Sequence, residues 1–244
     1  MIAQIRAELL KVRSTRTTLG LLLGMVALIL LFVLLTGLLT SVQSLSSAEN
    51  QRQLLHIGSL AGVFAALAGV LLVTSEYRYG TIRPTILFTP KRSRVLGAKV
   101  FAATLAGLLF GIVGTALGWG IGYAIIRGRG IPFALSDGDV LQLVLGSLGG
   151  VALWGAMGAG LGTILRNQVG GVITLLAWGF VVSPLLYGLV PSVGHFMPTY
   201  AQDALVGLTM SHLLAPTAGA VVLVGWAVLL AAVGLAVTIR RDVA

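Results

Sequence analysis

The stretch LGLLLGMVALILLFVLLTGLL, residues 19–39, carries no charged side chain and consists mostly of large aliphatic residues. An α-helix of about 20 apolar residues is long enough to cross the hydrocarbon core of a bilayer. A cleaved signal peptide has an apolar run of only about 7–15 residues, and the basic lead of residues 1–18 is long for one. The stretch therefore predicts a transmembrane helix that is retained.

Five further apolar runs follow, at residues 54–75, 96–126, 141–165, 170–190 and 213–239. Each is long enough to cross a bilayer, and the third and sixth have length to spare for tilt. Backbone amides inside a bilayer need partners within their own segment, so we expect helices. The sequence thus predicts an all-α integral membrane protein with one transmembrane domain over residues 1–244 and six spans within 19–239.

Composition supports the same class. Hydrophobic residues make up 57% of the chain and charged residues 9%, too few charges to cover the surface of a soluble protein. Disorder is excluded as well, because it requires low hydrophobicity and high charge. The chain has no cysteine, which excludes disulfides, thiolate metal sites and cysteine nucleophiles.

The charges predict an orientation. If the N-terminus is cytoplasmic, three of the 16 basic residues, Arg52, Arg127 and Arg129, fall outside and thirteen fall inside. The thirteen are Arg6, Lys11, Arg13, Arg16, Arg78, Arg83, Lys91, Arg92, Arg94, Lys99, Arg166, Arg240 and Arg241. Basic residues concentrate in cytoplasmic segments of membrane proteins, so both termini are expected in the cytoplasm. The net charge of +9 is explained in this way without nucleic-acid binding.

Sites for chemistry are scarce. No acidic residue lies in the middle of a predicted span, and the HExxH and GxSxG motifs are absent. None of the three lysines follows a glycine, as a phosphate-binding loop requires. His56, His195 and His212 fall on the outer side at spacings that match no compact metal motif. Hydrogen-bonding histidines are the favoured interpretation.

Glycines recur at small-xxx-small spacing in the third and fourth spans, where they let helices approach closely. Packing within one subunit is favoured, and a subunit interface stays open as the alternative. The glycines concerned are Gly107, Gly111, Gly114, Gly118, Gly122, Gly146, Gly150, Gly158 and Gly162.

Residues 1–17 have the pattern of an amphipathic helix at the inner membrane surface. Ile2, Ile5, Leu9 and Val12 recur at helical spacing, and the other faces carry Gln4, Arg6, Glu8, Lys11 and Arg13. Such a helix is either a simple membrane anchor or an elbow helix that also contacts a cytoplasmic partner.

The first cytoplasmic loop, SEYRYGTIRPTILFTPKRSRVLGAK at residues 75–99, is the most informative stretch. Thr81 can cap a helix of about two turns that Pro90 ends. A helix this short needs a partner surface, and its apolar side chains are Ile82, Ile86, Leu87 and Phe88. The alternative is that the loop only anchors basic residues at the lipid headgroups.

Glu76 stands where the second span ends and this loop begins. Its carboxylate is expected either to pair with Arg78 or Arg83 or to be solvated at the interface. Exposed ion pairs contribute only about 0–1 kcal/mol, so the two interpretations are equally weighted.

With these features the chain resembles the permease subunits of type-2 ABC exporters. The likeness in size, six spans, N-terminal amphipathic helix and inward termini covers the whole chain, and the specific likeness lies in the loop. The matching loop residues are Glu76, Arg78, Gly80, Thr81, Pro90, Arg92 or Arg94, and Lys99. The family also has a re-entrant outer segment between the last two spans. Residues 188–212 resemble it, with Pro191, Pro198 and a capping box from Thr199 to Gln202 that opens a short helix.

The resemblance implies that the loop is a coupling helix that docks in a groove of an ATPase subunit, and that residues 1–17 form the elbow helix. Phe88 is then expected to anchor the loop, with Arg83 and Arg92 at the rim of the contact. The implied coupling residues are Glu76, Arg78, Thr81, Arg83, Ile86, Leu87, Phe88 and Arg92, and those of the elbow helix are Arg6, Glu8, Lys11 and Arg13.

The same resemblance implies a multi-pass permease of the bacterial cytoplasmic (inner) membrane, working as an exporter. Two copies, or this chain and a homologue, would pair with two copies of a separate ABC ATPase, and the second and fifth spans would line the pore. ATP and magnesium would bind that ATPase, so this chain is expected to be no enzyme and to hold no cofactor. Two alternatives stay open: a membrane anchor or scaffold, and a membrane-embedded enzyme, against which the lack of buried acids counts.

Overall fold

The computed structural model describes residues 2–82, 84, 87 and 91–240, and within these residues the chain is helical without any strand. Six helices are long and apolar enough to span a membrane, which confirms the predicted fold class of a multi-pass helical membrane protein. Spans 1 to 6 are Arg16–Leu39, Ala48–Arg78, Arg92–Gly128, Asp137–Leu165, Gln168–Leu189 and Pro216–Arg240.

Two of the spans contain an irregular turn. Span 2 is divided into Ala48–His56, a 3₁₀ turn at Ile57–Leu60, and Ala61–Arg78. Span 5 is divided into Gln168–Ala177, a π-helical turn at Trp178–Val182, and Ser183–Leu189. The shorter helices are Ile2–Ser14 (the N-terminal helix), Val42–Leu45, Pro191–Gly194 and Pro198–Leu205 (the distal helix).

Side-chain contacts show that the spans run alternately in opposite directions. We call the end of the bundle that carries the N-terminal helix the proximal end, and the other the distal end. At the proximal end, Arg92 in span 3 donates to the Thr238 carbonyl oxygen in span 6 over 2.7 Å. At the distal end, Arg129 after span 3 donates to the carbonyl oxygens of Gly37, in the last turn of span 1, and Thr40, just after it, each over 2.7 Å.

The predicted charge split follows these two ends. Of the described basic residues, only Arg52, Arg127 and Arg129 lie at the distal end. Arg83 and Arg241 lie outside the described residues. The assignment of the proximal end to the cytoplasm stays a prediction.

Spans 2, 3 and 4 form the centre of the bundle. In their most apolar segments 56%, 44% and 56% of residues are buried within the chain, against 17% in each of spans 1, 5 and 6. Glycines set this packing: a Cβ on Gly158 would overlap the backbone of Ala66, and one on Gly58 would overlap that of Gly114. The small-xxx-small glycines therefore pack within the subunit, as the sequence analysis favoured.

The large apolar side chains of the core lie mainly between spans 1, 2 and 3. Met25, Ile29 and Phe110 are fully buried there, joined by Val151 from span 4.

The helix of span 2 begins six residues before the predicted position. Its first turns are polar, so hydropathy does not mark them. The Ser47 hydroxyl caps this start by accepting from the Asn50 amide.

One local prediction about the distal helix is wrong. The helix starts at Pro198 with Met197 as its N-cap, which gives no side-chain cap bond, so Thr199 and Gln202 form no capping box. A proline in the first turn supplies the fixed φ of a helix start without a cap, and Gln202 instead packs against Gly150 of span 4. A capping box does occur at Ser136, whose hydroxyl accepts from the Asp139 amide.

Candidate functional site

Four charged side chains from three elements meet at the proximal end. The Lys99 ammonium lies 2.9 Å from Glu8 Oε1 and 2.6 Å from Glu76 Oε1. The Lys11 ammonium lies 3.2 Å from Glu8 Oε1 and 2.5 Å from Glu76 Oε1. These four residues, the proximal ion cluster, join the N-terminal helix to the end of span 2 and the start of span 3.

Three of the four members of the proximal ion cluster are enclosed by protein. Glu8 and Glu76 are each 4% exposed and Lys99 is 2% exposed. Two carboxylates and two ammonium groups balance each other, and each ammonium bonds to both acids. Burial of the charges costs free energy, which close pairing offsets. Removal of one partner would leave an uncompensated buried charge, at a cost of about 3–5 kcal/mol.

Lys11 is the cluster member that reaches solvent. Burial alone would lower the pKa of its ammonium, but the hydrogen bond to Glu76 and the charges of Glu8 and Glu76 raise that pKa above its usual value. The Lys11 ammonium is therefore positive near neutral pH.

The structure corrects two predictions about the acids. Glu8 was assigned to the polar face of an amphipathic helix, yet it is buried between that helix and span 3. Glu76 was expected to pair with Arg78 or Arg83 or to be solvated, yet it is buried and bonds to Lys11 and Lys99. The Arg78 guanidinium donates instead to Gln168 Oε1 over 3.1 Å.

In the N-terminal helix, Arg6 and Arg13 are exposed, while Leu9 and Val12 pack toward the core. One sequence signal could have found the cluster. Lys99 lies inside the predicted third span, at residues 96–126, and an ionisable side chain within a span needs a partner. The charge count treats Lys99 as a basic residue of the loop, where no ion-pair partner is required.

The loop between spans 2 and 3 is described in part. Ile82, Pro84 and Leu87 are helical; Ile82 is buried, whereas Leu87 is 81% exposed. Thr81 is exposed. Three predicted coupling residues, Arg83, Ile86 and Phe88, lie outside the described residues.

Arg92, which follows the loop, is held at the start of span 3. Its guanidinium donates to the carbonyl oxygens of Thr238 and Ile239 over 2.7 and 3.3 Å. It thereby satisfies carbonyl groups at the C-terminal end of span 6, which have no partner within their own helix.

The distal end has its own polar contacts. His56 Nε2 lies 2.9 Å from the Ser59 hydroxyl and 3.1 Å from Asp203 Oδ1. A serine–histidine–acid relay uses both ring nitrogens, one for each partner, whereas here both partners share one. The cluster therefore links span 2 to the distal helix and does not have the geometry of a hydrolase. Among the described residues no group of three histidine, cysteine or acidic side chains could hold a metal ion.

Further bonds tie the distal loops to span 2. Arg52 forms an ion pair with Asp139 and donates to the Val206 carbonyl oxygen over 3.1 Å. The side-chain nitrogen of Gln51 donates to the Pro132 carbonyl oxygen over 2.8 Å, and its side-chain oxygen accepts from the backbone amide of Ala134 over 2.9 Å. The sequence marked Arg52 only as an outer charge and gave no signal for Gln51.

The chain matches no model of a known protein family, and no curated protein is significantly similar to it. These comparisons therefore assign no family. The two ends of the bundle and the residues that meet there are the basis for inferring function.

Proposed function

We propose that this chain is the transmembrane permease subunit of an ATP-driven, ABC-type exporter in a bacterial cytoplasmic membrane. Two permease chains, identical or homologous, would pair with two copies of a separate ATPase, which binds ATP and magnesium. The permease itself catalyses no reaction. This proposal rests on the resemblance of the loop at residues 75–99 and on the way its two ends are held.

The observation that carries the proposal is the position of the proximal ion cluster. Glu76 and Lys99 stand on either side of the loop and bond to each other over 2.6 Å. Glu8 bonds to the same lysine, so the N-terminal helix is held with them. A push on the loop would then move three elements as one unit, as a coupling device requires, whereas lipid anchoring alone gives no reason to bury three charges.

The exposed part of the loop suits a protein partner. Leu87 presents its side chain to solvent, and the basic residues Lys91 and Arg94, which follow it in the sequence, are exposed as well. Exposed apolar groups rimmed by charge mark contact sites. The matching surface on the ATPase would be an apolar groove with acidic side chains at its edge.

The first experiment tests docking through Leu87. Fully burying a leucine side chain contributes about 1.5–3 kcal/mol, so Leu87→Ala should weaken ATPase binding by about ten- to a hundredfold. The measurement is co-purification with candidate lone ATPases, followed by titration of the ATPase against the permease in detergent. Leu189→Ala is the matched control, because Leu189 is 78% exposed at the distal end.

Two outcomes contradict the coupling role. Equal ATPase binding by both variants would show that Leu87 makes no docking contact. Failure of the unaltered chain to retain any ABC ATPase would favour the alternative of an anchor or scaffold.

A second experiment tests the orientation. Ser93 and Ser192 are exposed at the proximal and distal ends. Cysteines placed at these positions, in a chain that has none of its own, should react with a membrane-impermeant maleimide from opposite sides, Ser192→Cys from outside. Labelling of both from one side would overturn the assignment of the two ends.

A further inference from the structure

A half-open cavity of about 150 Å³ lies near the distal end, between spans 2, 4 and 5 and the distal helix. Its apolar wall includes Trp154 and Phe180. Its polar wall is formed by Thr199, Gln202 and Asp203, three neighbouring positions on the distal helix. We call it the distal cavity.

The two irregular helical turns border the distal cavity. Ser59 and Leu60 of the 3₁₀ turn and Gly179 and Phe180 of the π turn are among its lining residues. Such turns inside long helices are frequent at functional sites. Pro184 offers one cause for the π turn, since a proline cannot donate to the preceding turn.

Ser183, beside that proline, completes the π turn. Its amide and its hydroxyl both donate to the Trp178 carbonyl oxygen, the hydroxyl over 2.9 Å. The Trp178 carbonyl oxygen thus keeps its partners where the π turn borders the distal cavity.

Gln202 is the unusual residue of the polar wall. Its side chain is 4% exposed, and neither its amide nitrogen nor its amide oxygen has a hydrogen-bond partner among the described residues. The carboxamide rests on Gly150, where a Cβ would overlap it. Thr199 Oγ1 is buried without a partner as well. Buried polar groups are normally paired, because an unmet one costs about 1–3 kcal/mol.

The charged member of the wall is already engaged. Asp203 bonds to His56, which also bonds to Ser59. The hydrogen-bonding capacity that stays unmet belongs to Thr199 and Gln202, which are neutral. An anion entering the distal cavity would lose its hydration without gaining an opposite charge, and a cation would have to share Asp203 with His56.

We propose that the distal cavity binds one small uncharged ligand that has an apolar body and an amide group. Apolar cavities of about this volume hold a single benzene ring, so the body would pack against Trp154 and Phe180. Gln202 lines the cavity, and the terminal torsion of a glutamine is soft, so its carboxamide can turn the oxygen or the nitrogen toward the ligand. The Gln202 carboxamide would donate one hydrogen bond to the ligand amide and accept one from it, which gives partners to its amide nitrogen and its amide oxygen.

The test is binding of 4-fluorobenzamide to the purified full chain in lipid nanodiscs, followed by fluorine NMR. The expected result is saturable binding that weakens at least about tenfold in Gln202→Leu, which removes two hydrogen bonds. Gln53→Leu, at an exposed glutamine of span 2, is the matched control and should bind as the unaltered chain does. Thr199→Val provides a second, nearly isosteric variant if Gln202→Leu does not fold.

Three related probes test the chemical class. 4-Fluorotoluene lacks the amide, and 4-fluorobenzoate and 4-fluorobenzylamine carry opposite charges on the same ring. Each should bind at least about tenfold more weakly than the amide. Equal or tighter binding of the toluene or of either ion, or unchanged amide binding in the variants, would overturn the proposal. The measurement needs no ATPase, so its outcome is independent of the proposed transport function.

Discussion

Lys99→Met is expected to lower the free energy of unfolding by about 3–5 kcal/mol, because it leaves Glu8 and Glu76 buried with Lys11 as their remaining partner in the cluster. Lys99 is almost completely enclosed and bonds to both carboxylates, so its loss turns a balanced cluster into one with net negative charge. Methionine keeps most of the side-chain volume, which limits the effect of lost packing. Denaturant titration in mixed micelles measures the change.

Lys91→Met is the matched control, because Lys91 is an exposed lysine eight positions earlier, at the same end of the bundle. Its effect should stay within about 0.5 kcal/mol, as for most surface substitutions. A double variant combines Lys99→Met with Glu76→Gln. Because the second change removes the excess negative charge, the double variant should be more stable than Lys99→Met alone. Similar stability of Lys99→Met and Lys91→Met would mean that the proximal ion cluster does not stabilise the fold.

Gly158→Leu is expected to separate spans 2 and 4 and to cost at least about 1–3 kcal/mol, the usual penalty for overpacking a core. The first added carbon would already overlap the carbonyl group of Ala66. Backbone cannot move aside as a side chain can, so the two helices themselves must shift. Unfolding in mixed micelles should show the loss, and the distal cavity, which both spans border, should bind its probe less well.

Gly149→Leu is the control, since Gly149 lies in the same span and a Cβ there meets nothing within 4 Å. That variant should be neutral or slightly stabilising, because leucine favours helix more than glycine does, by somewhat under about 1 kcal/mol. Equal loss of stability in both variants would indicate that helix propensity or lipid contact, and not close packing with span 2, governs the response.

The candidate site was only partly predictable from sequence. The loop at residues 75–99 stood out through its prolines and basic residues, and Glu76 was singled out at its edge. Its partners were not found, because Glu8 and Lys99 are 91 positions apart and only the packing of three helices brings them together. Gln202 was assigned to a helix cap because the Thr-x-x-Gln spacing is local, whereas its burial against Gly150 depends on another span.

The sequence by itself determined the class of the protein and the number of its spans. The hydropathy of a segment depends only on its own residues, so a run of about 20 apolar residues predicts a transmembrane helix wherever the neighbouring segments lie. The glycine spacing of spans 3 and 4 likewise marked faces that pack closely. Tertiary structure alone decided which charges neutralise each other, where span 5 takes a π turn and which polar groups of the distal helix are buried. Those properties depend on distances between helices, and a pattern along one helix carries no information about its neighbours.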